Sequence, residues 1–285
     1  MLRLMTHNVW NYDNNSPAWE KIGEDCSALV RSQGFIRVYK ETLPDIIGGQ
    51  EYSALMTDLV KKGCAADGLN YSLVEGRFTP IFFRADKLEL LDNEFATYPD
   101  YIEGFEGKFN DAFTKSWNLA VFREIKSKKI FIFVTTHLWW KSSDLKIKET
   151  KPKNYQAYSD EAREYQISLL NEKIKEYSDK YQCPIVLVGD FNTGYNSKAV
   201  KLLFDNGFHH AHDIATDFAD ETSGRHDCYA WGYTKEYRNT PFESAIDHIL
   251  LKDEPEGSVK KFKRYSPEYY YPLSDHSPAF IDIEL

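Results

Sequence analysis

The chain has 285 residues and a formal charge of −9, from 35 basic and 44 acidic side chains, which argues against a basic coat for duplex nucleic acid. At 42% hydrophobic and 28% charged it reads as an ordinary globular chain, with no apolar run near the roughly 20 residues that span a membrane. Aromatic residues make up 15%, more than a core of this size needs, so some are expected to face a ligand. The N-terminus lacks a basic stretch followed by an apolar signal core. As written the chain reads as cytoplasmic, or as secreted or periplasmic if a signal peptide has been removed. Cys26, Cys64, Cys183 and Cys228 have no short metal-type spacing and are too few for a disulfide scaffold, so they are expected to be reduced and mostly buried. No repeat, low-complexity tract or Gly/Ser linker divides the sequence, and one domain over 1–285 is expected, although the length alone allows two.

Residues 2–6, 46–47, 81–83, 120–122, 130–135, 185–188, 246–251 and 279–285 read as strands. In the last, Ile281, Ile283 and Leu285 alternate with Asp282 and Glu284, which predicts a core face and a water face. A helix is expected over 159–177, where Ala162, Tyr165, Leu169, Ile174 and Tyr177 recur at near-helical spacing and Ser159 is the candidate N-cap. Polar residues interrupt the strands in a regular way. Asn8, Gln50 with Glu51, His137, and Asp190 with Asn192 each follow an apolar run, whereas Asp247 and Asp275-His276 sit at or before the start of one. If all six converge, the late strands run antiparallel to the early ones. That predicts mixed sheets, and so many strands predict two sheets packed together.

Taken singly, an Asp or Asn after a strand usually caps a helix or tightens a turn. Gly189-Asp190-Phe191-Asn192 is more specific, since it delivers a carboxylate and a carboxamide two residues apart, and Ser274-Asp275-His276 is comparable. With Asn8, Glu51 and His137 they offer oxygen ligands for a hard divalent cation and imidazoles for proton or phosphate work.

These motifs, with Thr6-His7-Asn8-Val9-Trp10, Pro44 to Glu51, Thr136-His137-Leu138 and Ile246-Asp247-His248-Ile249, resemble in order the motifs of the endonuclease/exonuclease/phosphatase superfamily. The resemblance runs from residue 6 to residue 276. Tyr12-Asp13-Asn14 with Trp19, Pro80 to Arg84, and Ala162-Arg163 resemble a bacterial branch of it. It implies an α/β fold, a four-layer α/β/β/α sandwich of two packed mixed, mostly antiparallel sheets. It implies Glu51 as the main ligand of a catalytic Mg²⁺ or Mn²⁺, with Asn8 and Asp275 close by. Asp190 would polarise or deprotonate the attacking water, and Asn192 would hold that water or a phosphate oxygen. His276, oriented by Asp247, and His137 would stabilise charge on the phosphoryl oxygens. The reaction implied is in-line attack of water on phosphorus. Whether Asp190 or His276 is the base stays open.

Two departures stand out. Trp10 occupies a position where DNA nucleases of this type often carry Asp. The stretch 139–156 is long, with Trp139, Trp140 and five lysines (Lys141, Lys146, Lys148, Lys151, Lys153) against Asp144 and Glu149, a net charge of +3. It is expected to overhang the site and grip a polyanionic substrate, with Trp10, Trp139, Trp140 and Lys141 as candidate substrate contacts, or else to be a solvated loop. His209-His210-Ala211-His212 lacks the spacing of zinc hydrolases and reads as a loop or helix terminus. Asp13-Asn14-Asn15 has no turn glycine for a calcium loop, and Lys260, Lys261, Lys263 and Arg264 read as a solvated face.

The leading expectation is a metal-dependent phosphoric ester hydrolase, phosphodiesterase or phosphomonoesterase. Its substrate is a small phosphorylated molecule or single-stranded nucleic acid, with no stable duplex partner, no membrane, and a monomeric state. An endonuclease or exonuclease on DNA or RNA is the alternative. A non-catalytic phosphate-binding protein that kept the fold is the alternative from another class.

Overall fold

A computed structural model describes residues 1–217, 244–265 and 267–285. In chain order these form β1 (Leu2–Asn8), α1 (Pro17–Glu20), α2 (Ala28–Thr42), β2 (Ile46–Gln50), α3 (Ala54–Ala66), β3 (Tyr71–Val74), β4 (Ile81–Arg84), β5 (Leu88–Thr97) and β6 (Ser116–Glu124). There follow β7 (Ile130–His137), α4 (Leu145–Thr150), α5 (Ser159–Tyr181), β8 (Ile185–Asp190), α6 (Lys198–Asp205), β9 (His209–His210), α7 (Ala211–Ile214), β10 (Asp247–Lys252), β11 (Val259–Arg264) and β12 (Ala279–Ile283). One sheet has the order β11-β12-β1-β2-β4-β3 and the other β5-β6-β7-β8-β10-β9. Each is mixed. Only β1 with β2 and β7 with β8 pair parallel among the described strands.

The central strands read as continuous apolar runs because both their faces are covered. Leu4, Ile46, Phe131, Phe133, Val186, Val188 and Ile249 point into the space between the sheets. Their neighbours point outward: Met5, Ile47 and Phe82 meet Phe35, Val38, Met56 and Val60 of α2 and α3. Ile132, Val134, Ile185 and Leu187 meet Ile167, Leu170, Ile174 and Leu203 of α5 and α6. The result is the four-layer α/β/β/α sandwich expected from the sequence. All eight expected strands are present.

Four strands were missed. β5 is a polar edge strand with a register shift between Leu90 and Asp92, which breaks its alternation. β11 is the basic run, and it corrects the expectation of a solvated face. Phe262 packs in the core and Arg264 is buried, while Lys260, Lys261 and Lys263 line a sheet edge, where charge discourages pairing with other chains. β3 and β9 are short. On the last strand Asp282 is buried in an ion pair with Arg3, Oδ1 to Nε 2.6 Å, so only Glu284 of the two expected acids faces water.

Helix α5 begins at Ser159, whose hydroxyl donates to Gln156 O; the capping position belongs to Tyr158 in a left-handed conformation, so Ser159 is not the N-cap. Its buried face carries Ala162, Arg163, Gln166, Ile167, Leu170 and Ile174. Tyr165 is exposed, because the polar Arg163 and Gln166 take inward positions and hide the true period. Cys26, Cys64 and Cys183 are free and buried, as expected, and Cys228 lies outside the described residues. Among the described residues no helix is long and apolar enough to cross a membrane.

Gly48 lies tight against the facing sheet. A Cβ there would stand 2.6 Å from Val188 Cγ2 and 2.9 Å from Thr135 Cβ of the facing sheet. Gly48→Val is therefore expected to destabilise the fold by about 1–3 kcal/mol through overpacking, read as a lower urea midpoint at unchanged slope.

Candidate active site

The parallel pairs β1–β2 and β7–β8 end on the same rim. Asn8 lies across from Gln50, and His137 across from Asp190. β10 runs the other way, so its first residue, Asp247, pairs with Asp190. β12 is antiparallel to β1, which brings the segment before it, Ser274-Asp275-His276, to the same place, where Ser274 Oγ donates to Asn8 O at 2.9 Å. The structure thus brings together Asn8, Glu51, His137, Asp190, Asn192, Asp247, Asp275 and His276. Backbone conformation is unusual here, with Trp10, Glu51 and Asn192 at φ 57°, 62° and 52°. For Trp and Glu this left-handed conformation costs about 1 kcal/mol or more, and such strain gathers at functional sites. Gly189, at φ 152°, cannot be otherwise, since a Cβ would lie 2.0 Å from Thr136 O of the neighbouring strand.

Asp190 is the centre of the cluster. It is fully buried, its Oδ1 accepting from Asn192 N at 2.8 Å and its Oδ2 from Asn8 Nδ2 at 2.9 Å. Burial raises its carboxyl to about 6, with Asp247 adding to the effect and His276 and Lys115 opposing it. His276 Nδ1 is 2.8 Å from Asp247 Oδ2, while its Nε2 faces Asp190 Oδ2 at 3.8 Å and Asp275 Oδ1 at 3.9 Å. Burial disfavours the imidazolium, but Asp247, Asp190 and Asp275 outweigh it and raise His276 to about 10. His276 is therefore charged at neutral pH.

Glu51 accepts from Asn11 N at 2.8 Å and from Asn8 Nδ2 at 3.2 Å, and its side chain is part exposed. Asn8 turns its amide nitrogen to the two carboxylates and its Oδ1 to Trp10 N at 2.9 Å. It orients the carboxylates instead of presenting the oxygen expected of a metal ligand. Asn192 Nδ2 donates to Leu138 O at 3.0 Å, which ties the β8 turn to the end of β7. His137 is buried, its Nε2 3.5 Å from Asp190 Oδ2 and 3.8 Å from Glu51 Oε1. Burial, then Lys115 and His276, hold it neutral, well below the usual imidazole range.

Sequence reasoning missed three groups. Lys115, next to β6, puts Nζ 2.6 Å from His137 Nε2. Its signal was available, because β6 is antiparallel to β7 and Ser116 pairs with His137, so the start of β6 must lie at the end of β7. Arg31 of α2 is buried and donates to the carbonyls of Val9, Trp10 at 2.9 Å and Leu273 at 3.0 Å, joining the Asn8 turn to the segment leading to His276. His7, one residue from Asn8, points outward; it is 2.6 Å from Tyr39 OH and 2.8 Å from Tyr270 OH, and Tyr270 OH donates to His276 O at 2.6 Å.

The candidate substrate contacts divide. Trp139 is 1% exposed and packs with Ile102, Phe109 and Ala162, so it has no free face to offer a ligand, contrary to expectation. Trp10 is also buried, its ring 4.4 Å from that of Tyr12 and 5.2 Å from the Arg31 guanidinium. Trp140 is 39% exposed, with Nε1 donating to Asp111 Oδ2 at 2.8 Å and Lys141 Nζ 5.5 Å from its ring. The rest of the lysine-rich stretch folds into α4, capped by Asp144, and a short turn, with Lys146, Lys148, Lys151 and Lys153 exposed. His210 is buried 3.2 Å from His248 and caps α7, the helix terminus expected of that run.

Among the described residues two groups could hold a metal ion, Glu51-His137-Asp190 and Asp190-Asp247-His276, with ligand atoms within 4.8 Å of one another in each. Four carboxylates, Glu51, Asp190, Asp247 and Asp275, gather here with Lys115, His276 and the Arg31 guanidinium close by, and the carboxylate oxygens suit Mg²⁺ or Mn²⁺ better than a soft metal.

Residues 5–276 match the Endonuclease/Exonuclease/phosphatase family. No curated protein sequence matches the chain. Similar solved structures include a mannosyl-6-phosphatase of Bacteroides thetaiotaomicron, with TM-score 0.70 and 18% identity over 100% of each chain. D. rerio TDP2 complexed with single-strand DNA product has TM-score 0.64 and 15% identity, over 98% of this chain and 97% of that one. The human nocturnin catalytic domain with bound sulfate anion has TM-score 0.60 and 14% identity, over 99% and 94%. At these identities the likeness is one of fold.

If these carboxylates mark a cation site, Mn²⁺ at about 100 times its Kd should raise the unfolding free energy by about 2.7 kcal/mol. In Glu51→Gln that gain should disappear, as measured by denaturant unfolding with Mn²⁺ and with EDTA.

Proposed function

The chain belongs to the Endonuclease/Exonuclease/phosphatase family, and on that premise we propose that it hydrolyses a phosphate ester with a divalent cation, residues 1–285 acting as one domain. The observation that carries this reading is Asp190. One buried carboxylate, raised to about 6, faces an imidazolium that a second buried carboxylate, Asp247, holds in place. A group that is unprotonated but basic beside a group that is protonated is the arrangement a water attack needs.

Glu51 and Asp275 would hold Mg²⁺ or Mn²⁺, with Asp190 nearby. When bound, the cation would supply Lewis-acid neutralisation of a phosphoryl oxygen. Asp190 takes a proton from the attacking water as its oxygen bonds to phosphorus. The ester P–O bond breaks on the opposite side, and His276 Nε2, still protonated, neutralises the phosphoryl oxygens or gives its proton to the leaving oxygen. Asp247 keeps Nδ1 engaged and so fixes which nitrogen faces the substrate. Asn192 positions Asp190 through its backbone N–H. Asp190 is the base in this reading, because His276 is charged at neutral pH.

A small phosphorylated molecule, such as a sugar phosphate, suits a chain of −9 charge in which the exposed Trp140 and the half-buried Lys141 follow closely on His137. Single-stranded nucleic acid is the second reading, supported by Trp140, which is exposed enough to stack on a base.

The test uses bis(p-nitrophenyl) phosphate, p-nitrophenyl phosphate, mannose 6-phosphate and single-stranded oligonucleotides, each with Mg²⁺, Mn²⁺ or EDTA. Asp190→Asn and His276→Ala should each lower kcat by about 10²–10⁴ with the fold intact. Absence of metal-dependent turnover on every substrate would overturn the reading.

A further inference from the structure

His7 is fully buried and takes no part in the water attack, yet both of its ring nitrogens are engaged. Burial, with His276 and Arg31 adding to it and Asp247 opposing, lowers it to about 3, so the ring carries a single proton. The neighbours decide where that proton sits. Tyr270 OH lies 2.6 Å from His276 O, and a carbonyl only accepts, so the one hydroxyl proton of Tyr270 is committed there. His7 Nε2, 2.8 Å from the same hydroxyl, must therefore donate to it. Nδ1 is then bare and accepts from Tyr39 OH at 2.6 Å, and Tyr39 OH in turn accepts from Tyr52 OH. Tyr39, Tyr52 and Tyr270 are each 0% exposed, which keeps the whole line out of reach of bulk solvent.

We propose that His7, in its Nε2–H form, is a positioning residue that joins the two working ends of the centre, Glu51 and His276, through one ordered line of hydrogen bonds from Tyr52 to His276 O. The proposal rests on the esterase reading above. His7 touches neither substrate nor cation. It acts through Tyr270 on one side and through Tyr39 and Tyr52 on the other.

Each end of the line has something to hold. Glu51 is left-handed at φ 62°, a conformation that persists where the surroundings over-determine it, and Tyr52 follows it directly. Tyr52 N donates to Phe78 O at 3.2 Å, its ring lies so close to the strand that a Cβ on Gly49 would stand 2.7 Å from Cδ2, and its hydroxyl meets Tyr39. At the other end His276 N donates to Ser274 Oγ at 3.2 Å, its Nδ1 engages Asp247 and its O accepts from Tyr270, which leaves Nε2 to face Asp190. Between the ends, His7 directly precedes Asn8, whose amide spans Glu51 and Asp190, and its ring packs edge-on against Phe35 at 5.0 Å. A phenyl ring would fill that volume, but an imidazole adds a donor and an acceptor on opposite sides of it.

The experiment measures three quantities on the full chain, at a temperature where circular dichroism shows each variant folded. They are kcat on the best ester found, the Mn²⁺ Kd by electron paramagnetic resonance, and the ¹⁵N shifts of the histidine rings. In wild type, His7 should read as the neutral Nε2–H tautomer. Tyr270→Phe should lower kcat about 3–10-fold and move the His276 ring shifts, with the smaller effect on the Mn²⁺ Kd. Tyr52→Phe should raise the Mn²⁺ Kd about 3–10-fold, with a smaller loss of kcat at saturating Mn²⁺ than Tyr270→Phe. His7→Phe should do both, and His7→Gln, whose amide keeps one acceptor and one donor, should recover part of each. If His7→Phe does not fold, the two tyrosine variants and His7→Gln decide. Variants that lose stability in urea while kcat, Kd and the His276 shifts stay at wild-type values would overturn the proposal, as would an Nδ1–H tautomer in wild type; either leaves the esterase reading standing. Wild type without metal-dependent turnover overturns the esterase reading, and the Mn²⁺ Kd and the His276 shifts then decide whether the line reaches both ends. Wild type that neither binds Mn²⁺ nor turns over any ester overturns both.

Discussion

In β1–β2 and β7–β8 the chain runs the same way in adjacent strands, and β2 faces β7, and β1 faces β8, across the sandwich. Parallel neighbours cannot be joined by a tight turn; each pair needs a crossover, here α2 and α5, lying on the outer face of its sheet. With both outer faces occupied by helices and the inner faces packed on each other, the strand ends are the exposed polar part of the molecule's centre. Four of them open on one rim, and the antiparallel β10 and β12 bring strand starts to the same rim. Each candidate catalytic residue occupies one of those positions or the turn beside it.

The negative surplus of the chain is therefore not all surface. Asp190 and Asp247 are buried, and His276 lies against both. A low-dielectric setting amplifies each of these interactions, which explains how one imidazole is raised to about 10 while another, His137, is driven far down within the same cluster. The difference is in the neighbours: carboxylates around His276, an ammonium against His137.

The sequence exposed this layout through polar residues that terminate apolar runs. That signal marked Asn8, Glu51, His137 and Asp190, which close apolar runs, and Asp247 and His276, which stand at or before the start of one. It failed where context decides. Lys115 carries no apolar run before it, and only the pairing of β6 with β7 makes it a site residue. Trp139 looked like a free ring beside a candidate catalytic histidine, yet it packs with Phe109 and Ala162 while Gln166 and Arg163 hold its backbone. The same two polar residues displaced the reading of α5, because a buried face that carries Arg and Gln does not look like one. Edge strands β5 and β11 were hidden by the charges that keep an open edge from pairing with other chains.

The pairing of β1 with β12 joins residues almost a whole chain apart, Leu2 with Ile283 and Thr6 with Ala279. β1 has its parallel partner β2 early, but its other edge stays bare until residues 279–283 have been synthesised, and the turn carrying His276 is ordered by that same late pairing. Asp190 and Glu51 are made long before. During synthesis the ribosome thus holds a chain that has Glu51 and Asp190 but not yet Asp275 and His276. The cluster on the rim is complete only once β12 has paired with β1.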